Sequence, residues 1–126
     1  MKIAVLFLAI AALAGCGSDA ASQAPRYDLT ISYWPTGRGD ESRSATLECD
    51  PDGGSHPDPV SACDALLKHE DALQPVPGDV ACTEIYGGPQ LATISGSNVH
   101  ATLSRTNGCE IARWEALAPV VELPAS

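Results

Sequence analysis

Five cysteines fall in an arrangement of one plus four: Cys16 closes an apolar leader, and Cys49, Cys63, Cys82 and Cys109 lie beyond it. Thiols can ligate metal, attack as nucleophiles, carry a lipid or pair with one another. The parity of this set points to one modified cysteine and two disulfides. Cys82 begins the run Cys82-Thr83-Glu84-Ile85-Tyr86, so a disulfide there would pin the upstream end of a strand-like peptide. A peptide held in that way is suited to enter a protease cleft as a rigid strand that loses little freedom on binding.

The other chemistry-bearing residues form no comparable set. No C-x-x-C pair exists and the histidines are scattered, which argues against zinc. His56 precedes Pro57 in a turn. His69 stands near a helix end, where a protonated imidazole complements the helix dipole, and His100 lies on the outer face of a strand. None combines with a serine and an aspartate in the order of a nucleophilic triad, so the chain reads as a non-enzyme. Asp50, Asp52 and Asp58 lack the full oxygen-ligand pattern of a calcium loop and read as a solvated turn. Trp34 and Trp114 read as core or edge packing rather than anchors for a partner. No metal and no cofactor is expected.

The leader sets the compartment. Met1-Lys2 is followed by an apolar run from Ile3 to Ala14 and then Gly15-Cys16, the layout of a secretory signal. The run is shorter than the roughly 20 apolar residues that span a bilayer. Leu13-Ala14-Gly15-Cys16 resembles a bacterial lipobox, in which the cysteine is acylated and becomes the new N-terminus. The other reading is an ordinary signal peptide cleaved nearby, which leaves Cys16 without a role. Either way the folded part is exported, either anchored at the cell membrane through lipid or secreted. The expected division is a signal peptide over 1–15, a lipidated N-terminus and flexible tether over 16–25, and a folded domain over 26–126. Export to an oxidising compartment favours disulfides over a redox centre or metal site. The formal net charge of -9 excludes nucleic acid as a partner and repels anionic surfaces.

Alternation in Tyr27-Asp28-Leu29-Thr30-Ile31-Ser32-Tyr33 predicts a half-buried strand. After the turn-rich Pro35 to Asp40 stretch, Ala45 to Cys49 resumes the pattern with Cys49 facing inward, and the two runs can pair as a hairpin. Asp58-Pro59 predicts a helix start, N-cap then proline in the first turn. Val60, Cys63, Leu66 and Leu67 recur at helical spacing and form the expected inner face. Pro75, Pro77 and Gly78 end that pattern and lead an extended segment to Cys82. Leu91 to Ser95 and Val99 to Ser104 predict a second hairpin around Gly96-Ser97-Asn98. Three disulfide pairings are open. The element placement brings Cys63 within reach of Cys49, and Cys109, just after the second hairpin, within reach of Cys82.

Four stretches make the chain similar to the Streptomyces subtilisin inhibitor family: Leu47-Glu48-Cys49-Asp50-Pro51; Gly54-Ser55-His56-Pro57 with Ala62-Cys63-Asp64-Ala65-Leu66; Cys82-Thr83-Glu84-Ile85-Tyr86-Gly87-Gly88-Pro89; and Arg105-Thr106-Asn107-Gly108-Cys109-Glu110. The resemblance implies an α+β fold, an antiparallel β-sheet of about five strands covered by two helices, with Cys49 bonded to Cys63 and Cys82 to Cys109. It implies inhibition of a serine endopeptidase by a loop whose reactive bond is Glu84-Ile85. Cys82, Thr83 and Tyr86 would be loop contacts, and Asn107 would support the loop through its side chain. The family usually pairs with itself, which adds a second copy of the chain to the expected partners.

This sequence departs from better-known members at Glu84, where they present an apolar or basic side chain. Burying an unpaired carboxylate costs several kcal/mol, about opposite to the 1.5–3 kcal/mol gained by a buried methionine or leucine. Conventional subtilisins should therefore bind weakly, and a protease of acidic or broad preference is the expected target. Gly87-Gly88 is expected to loosen the far side of the loop. The rival expectation is a non-inhibitory surface lipoprotein, a binding module on the same scaffold.

Overall fold

Strand, turn and helix signals of the chain resolve into one sheet with helices on one face, seen in a computed structural model that describes residues 25–125. The leader, Cys16 and the tether up to residue 24 lie outside the described residues. The strands are β1 (Tyr27–Trp34), β2 (Arg43–Cys49), β3 (Leu91–Gly96) and β4 (Val99–Ser104), and the helices are α1 (Pro59–Lys68) and α2 (Gly108–Val121), with a 3-10 turn at Glu70–Leu73. The sheet order is β2-β1-β3-β4, and every neighbouring pair is antiparallel.

Alternation explains the strands. Leu29 and Ile31 of β1 point inward while Asp28 and Thr30 face solvent, and Leu47, Ile94 and Leu103 continue the inner face on the other strands. Against them pack Leu66 of α1 and Trp114, Leu117 and Val120 of α2, all fully buried. Each such side chain contributes about 1.5–3 kcal/mol by leaving water. In the β3–β4 turn Ser97 and Asn98 both have positive φ, at 47° and 63°. That is the primed two-residue turn whose twist matches a hairpin.

Two helices and two disulfides agree with expectation, and the sheet has four strands rather than five. The extended lead into Cys82 forms no strand. Pro75, Pro77 and Pro89 cannot donate to a ladder, so the stretch between the 3-10 turn and β3 runs across the surface as irregular chain.

Helix α1 starts as expected: Asp58 accepts a hydrogen bond from the Ser61 backbone N–H at 3.2 Å, and Pro59 occupies the first turn. Its buried stripe is Ala62, Cys63, Ala65 and Leu66, whereas Val60 is 68% and Leu67 39% exposed. The two small alanines let the helix lie close to its neighbours, which turns Val60 and Leu67 outward. Helix α2 is capped by Asn107, whose side chain accepts from the Glu110 N–H at 2.9 Å. Arg113 fixes its position by donating from Nε to the Ala72 carbonyl at 3.0 Å while pairing with Glu110 at 2.9 Å.

His56 is a buried link rather than a plain turn residue. Its Nδ1 accepts from the Asp58 N–H at 3.0 Å, which leaves Nε2 to donate to the Val120 carbonyl, also at 3.0 Å. The turn before α1 is thereby joined to the end of α2. Cys49 and Cys63 are bonded, with Cα atoms 5.5 Å apart. Chain-entropy reasoning credits a loop of that size with about 3 kcal/mol.

Candidate functional site

The segment from Arg105 to Cys109, which joins β4 to α2, holds an outlying loop at two points. Upstream, Cys82 is bonded to Cys109 with Cα atoms 5.3 Å apart, and the Gly108 N–H donates to the Thr83 carbonyl at 2.9 Å. Downstream, the Gly87 N–H donates to the Arg105 carbonyl at 2.7 Å. The Arg105 Nε–H returns a bond to the Gly87 carbonyl at 3.2 Å. Between the two points stand Glu84, Ile85 and Tyr86, all exposed, with Ile85 at 62% and Tyr86 at 65%. Among the described residues none of these three hydrogen-bonds to the body of the protein.

Local sequence explains both fastenings. The first N–H groups of a helix have no partner inside it, so Gly108, opening α2, has its N–H free for Thr83. A side chain at Gly108 would run into the Thr83 hydroxyl. At Gly87 an added Cβ would come within 2.9 Å of Ile111 Cδ1 and 3.1 Å of Arg105 Cβ. The expectation that Gly87-Gly88 loosens the loop is therefore corrected. Lacking a side chain, Gly87 lets the backbone lie against Ile111 of α2 and close enough to Arg105 for two hydrogen bonds. Gly88, at φ +121°, then makes a bend that residues with a Cβ rarely adopt.

The residues expected at the site are brought together: Cys82, Thr83, Glu84, Ile85 and Tyr86 run consecutively past Asn107 and Cys109. Asn107 sits beside the loop with its carboxamide oxygen engaged as the α2 cap. The bonds that reach the loop come from its neighbours Gly108 and Arg105. Both residues stand in the motif that carried the resemblance. Their role was hidden because a glycine N–H and an arginine Nε acquire meaning only through partners far away in sequence. The Arg105 guanidinium is also paired with Glu115 of α2 at 3.0 Å, which draws a third element into the fastening.

Elsewhere the candidates have structural duties. Cys49, Asp52 and Cys63 place their ligand atoms within 4.8 Å of one another, but the two sulfurs are joined and offer no thiolate to a metal. Hydrogen bonds from Ser61 hold the Asp58 carboxyl below its usual range, as befits a helix cap. His69 caps the C-terminal end of α1 and His100 is exposed on β4. Trp114 is fully buried and donates to Glu122 at 2.8 Å. Trp34 is half-buried beneath the Arg38 guanidinium, 5.1 Å from the ring centre. No helix among the described residues is long and apolar enough to cross a membrane.

Comparison with curated proteins gives no match. The model of the subtilisin inhibitor-like family matches residues 23–98, a span that takes in β1, β2, α1, β3 and the whole exposed loop. With more than half of its length in that match and its four framework cysteines paired as the resemblance implies, the chain belongs to the subtilisin inhibitor-like family, a family of protease inhibitors.

Proposed function

We propose that the domain inhibits serine endopeptidases by offering Glu84-Ile85 as a substrate-like bond. The observation that carries this reading is the exposed Glu84-Ile85-Tyr86 tripeptide held on both sides by one segment, Arg105 to Cys109. An extended peptide adds to a protease cleft as a strand, and one already fixed in place surrenders little entropy in doing so. Thr83 and Tyr86 flank the bond and contact the enzyme, and Glu84 fills the specificity pocket. The carboxylate selects a pocket with a cationic or hydrogen-bonding floor, so the target is a protease of acidic or broad preference. Asn107 supports the loop through the helix start that it caps.

The leader supports export and acylation at Cys16, which would place the inhibitor outside the cytoplasm, on the membrane or released from it. In this arrangement residues 1–15 are removed, 16–25 tether the domain, and 26–126 meet the protease. Two copies associate, as the family usually does, with the loops left free.

The test is a titration of the purified domain against serine proteases of acidic, apolar and basic preference, repeated with Glu84→Met. The expected result is stoichiometric block of at least one acidic-preferring or broad enzyme. E84M should move preference toward apolar-selective subtilisins by about 100-fold or more, since each 1.4 kcal/mol is tenfold and the exchange is worth several kcal/mol. Inhibition of no enzyme by either protein would reject this function and leave a binding module on the same scaffold.

A further inference from the structure

We infer that Arg105 is a positioning residue for the fragment that begins at Ile85, keeping it in place once the Glu84-Ile85 bond is opened so that the bond is made again. The inference rests on the inhibitory function proposed above and concerns the downstream side of its loop. When a protease serine attacks the Glu84 carbonyl carbon, the C–N bond to Ile85 breaks. Glu84 becomes an ester of the serine, and the serine proton passes through the enzyme's base to the Ile85 nitrogen, which departs as an amine. Reversal needs that amine to bring its lone pair back to the ester carbon, expel the serine oxygen and return the proton to it. Water competes and yields a Glu84 carboxylate and an Ile85 ammonium.

The two new ends are not secured alike. The Glu84 end lies two residues from Cys82, which is covalently linked to Cys109. The Ile85 end has no covalent link until the chain enters β3 at Leu91, so without a further hold residues 85–90 form a free arm. Gly87 interrupts that arm through its N–H on the Arg105 carbonyl and its own carbonyl on Arg105 Nε, at 2.7 and 3.2 Å. Only Ile85 and Tyr86 then remain loose. Chain-closure statistics scale as the three-halves power of length, so shortening the arm threefold raises the local concentration of the amine about fivefold. Glu115 orients the guanidinium from α2 at 3.0 Å. Because Glu115 is exposed, the ion pair adds little stability of its own, and its effect is to direct Nε toward Gly87.

The test uses the intact domain, Arg105→Met, Glu115→Gln and one serine protease that the unmodified protein blocks. Two quantities are read: the association rate constant, and the ratio of cut to intact inhibitor when the enzyme has brought them to equilibrium. R105M, which removes the Nε bond but keeps the Gly87 N–H bond to the backbone carbonyl at position 105, should associate within about twofold of the parent, because the exposed tripeptide is unchanged. Its ratio should shift toward the cut form by about two- to fivefold, the upper figure being that of a fully released arm, and inhibition should fade correspondingly sooner. E115Q, on an exposed position that the fold does not need, should shift the ratio in the same direction by a smaller factor, and it decides the matter if R105M does not fold. A ratio equal to the parent's in the folded variants would overturn the role of Arg105 while leaving inhibition intact. If the parent blocks no serine protease, the inhibitory function fails first and this role falls with it.

Discussion

The backbone N–H of Gly108 donates to the carbonyl of Thr83 at 2.9 Å, which bonds the first turn of α2 to the residue immediately before Glu84. Helix packing and loop presentation are thereby one problem. Whatever seats α2 against the sheet, through Trp114, Leu117 and Val120, also fixes where the exposed tripeptide stands.

Gly108→Ala should disturb both at once. The added Cβ has to occupy the space of the Thr83 hydroxyl, and overpacking of this kind costs about 1–3 kcal/mol. The expected outcome is a lower melting temperature together with weaker protease binding. Adding Thr83→Ala should recover part of the stability, since it removes the nearer of the two clashing atoms. A thermal melt of the four proteins in that cycle is the measurement, and additive losses would contradict the contact.

Replacing Cys82 and Cys109 by serine removes a link across a sequence separation of 27 residues. Loop-closure entropy places the loss near 3.5 kcal/mol, to be read by urea denaturation. The same variant should change character from inhibitor to substrate, with cleavage at Glu84-Ile85 followed by mass spectrometry. Gly108 and Arg105 alone have to hold the upstream and downstream ends in that protein.

Acid should weaken the start of α1. Hydrogen bonds from Ser61 keep the Asp58 carboxyl below the usual carboxylate range, so the folded state binds that proton less readily than the unfolded chain. The stabilising contribution is complete above the unfolded value and disappears as pH falls through the folded one. Melting temperature should therefore decline below about pH 4. Asp58→Asn, which keeps a capping oxygen but does not titrate, should flatten that part of the curve.

Cys16→Ser tests the anchor separately from the loop. Loss of acylation should move the protein from the membrane fraction to the soluble one, since one acyl chain is marginal for attachment and several give durable binding. Continued sedimentation with membranes would reject the lipid at Cys16. Inhibition of a soluble protease should be the same for both forms.

Much of this architecture is legible in residue order because its signals are local. Alternation gave β1, Asp58-Pro59 marked the start of α1, and Ser97-Asn98 marked the hairpin turn that the structure contains. Helix α2 is harder to see. Ala112, Ala116, Ala118 and Pro119 dilute its apolar period, and Pro119 lies inside the helix, where it usually signals a break. The burial of His56 was likewise invisible, because its partner Val120 is 64 residues away. At the loop the exposed segment after Cys82 could be anticipated, but its downstream fastening could not. Gly87 looks permissive until the approach of Ile111 and Arg105 shows that its missing side chain is what the contact requires.

Glu84, Ile85 and Tyr86 contribute no hydrogen bond to the body and little buried area, so the fold makes few demands on what they are. The domain is accordingly a ready-made display frame. Randomising those three positions should yield libraries in which nearly every clone folds, and new specificities could be grafted without re-engineering the base on which they stand.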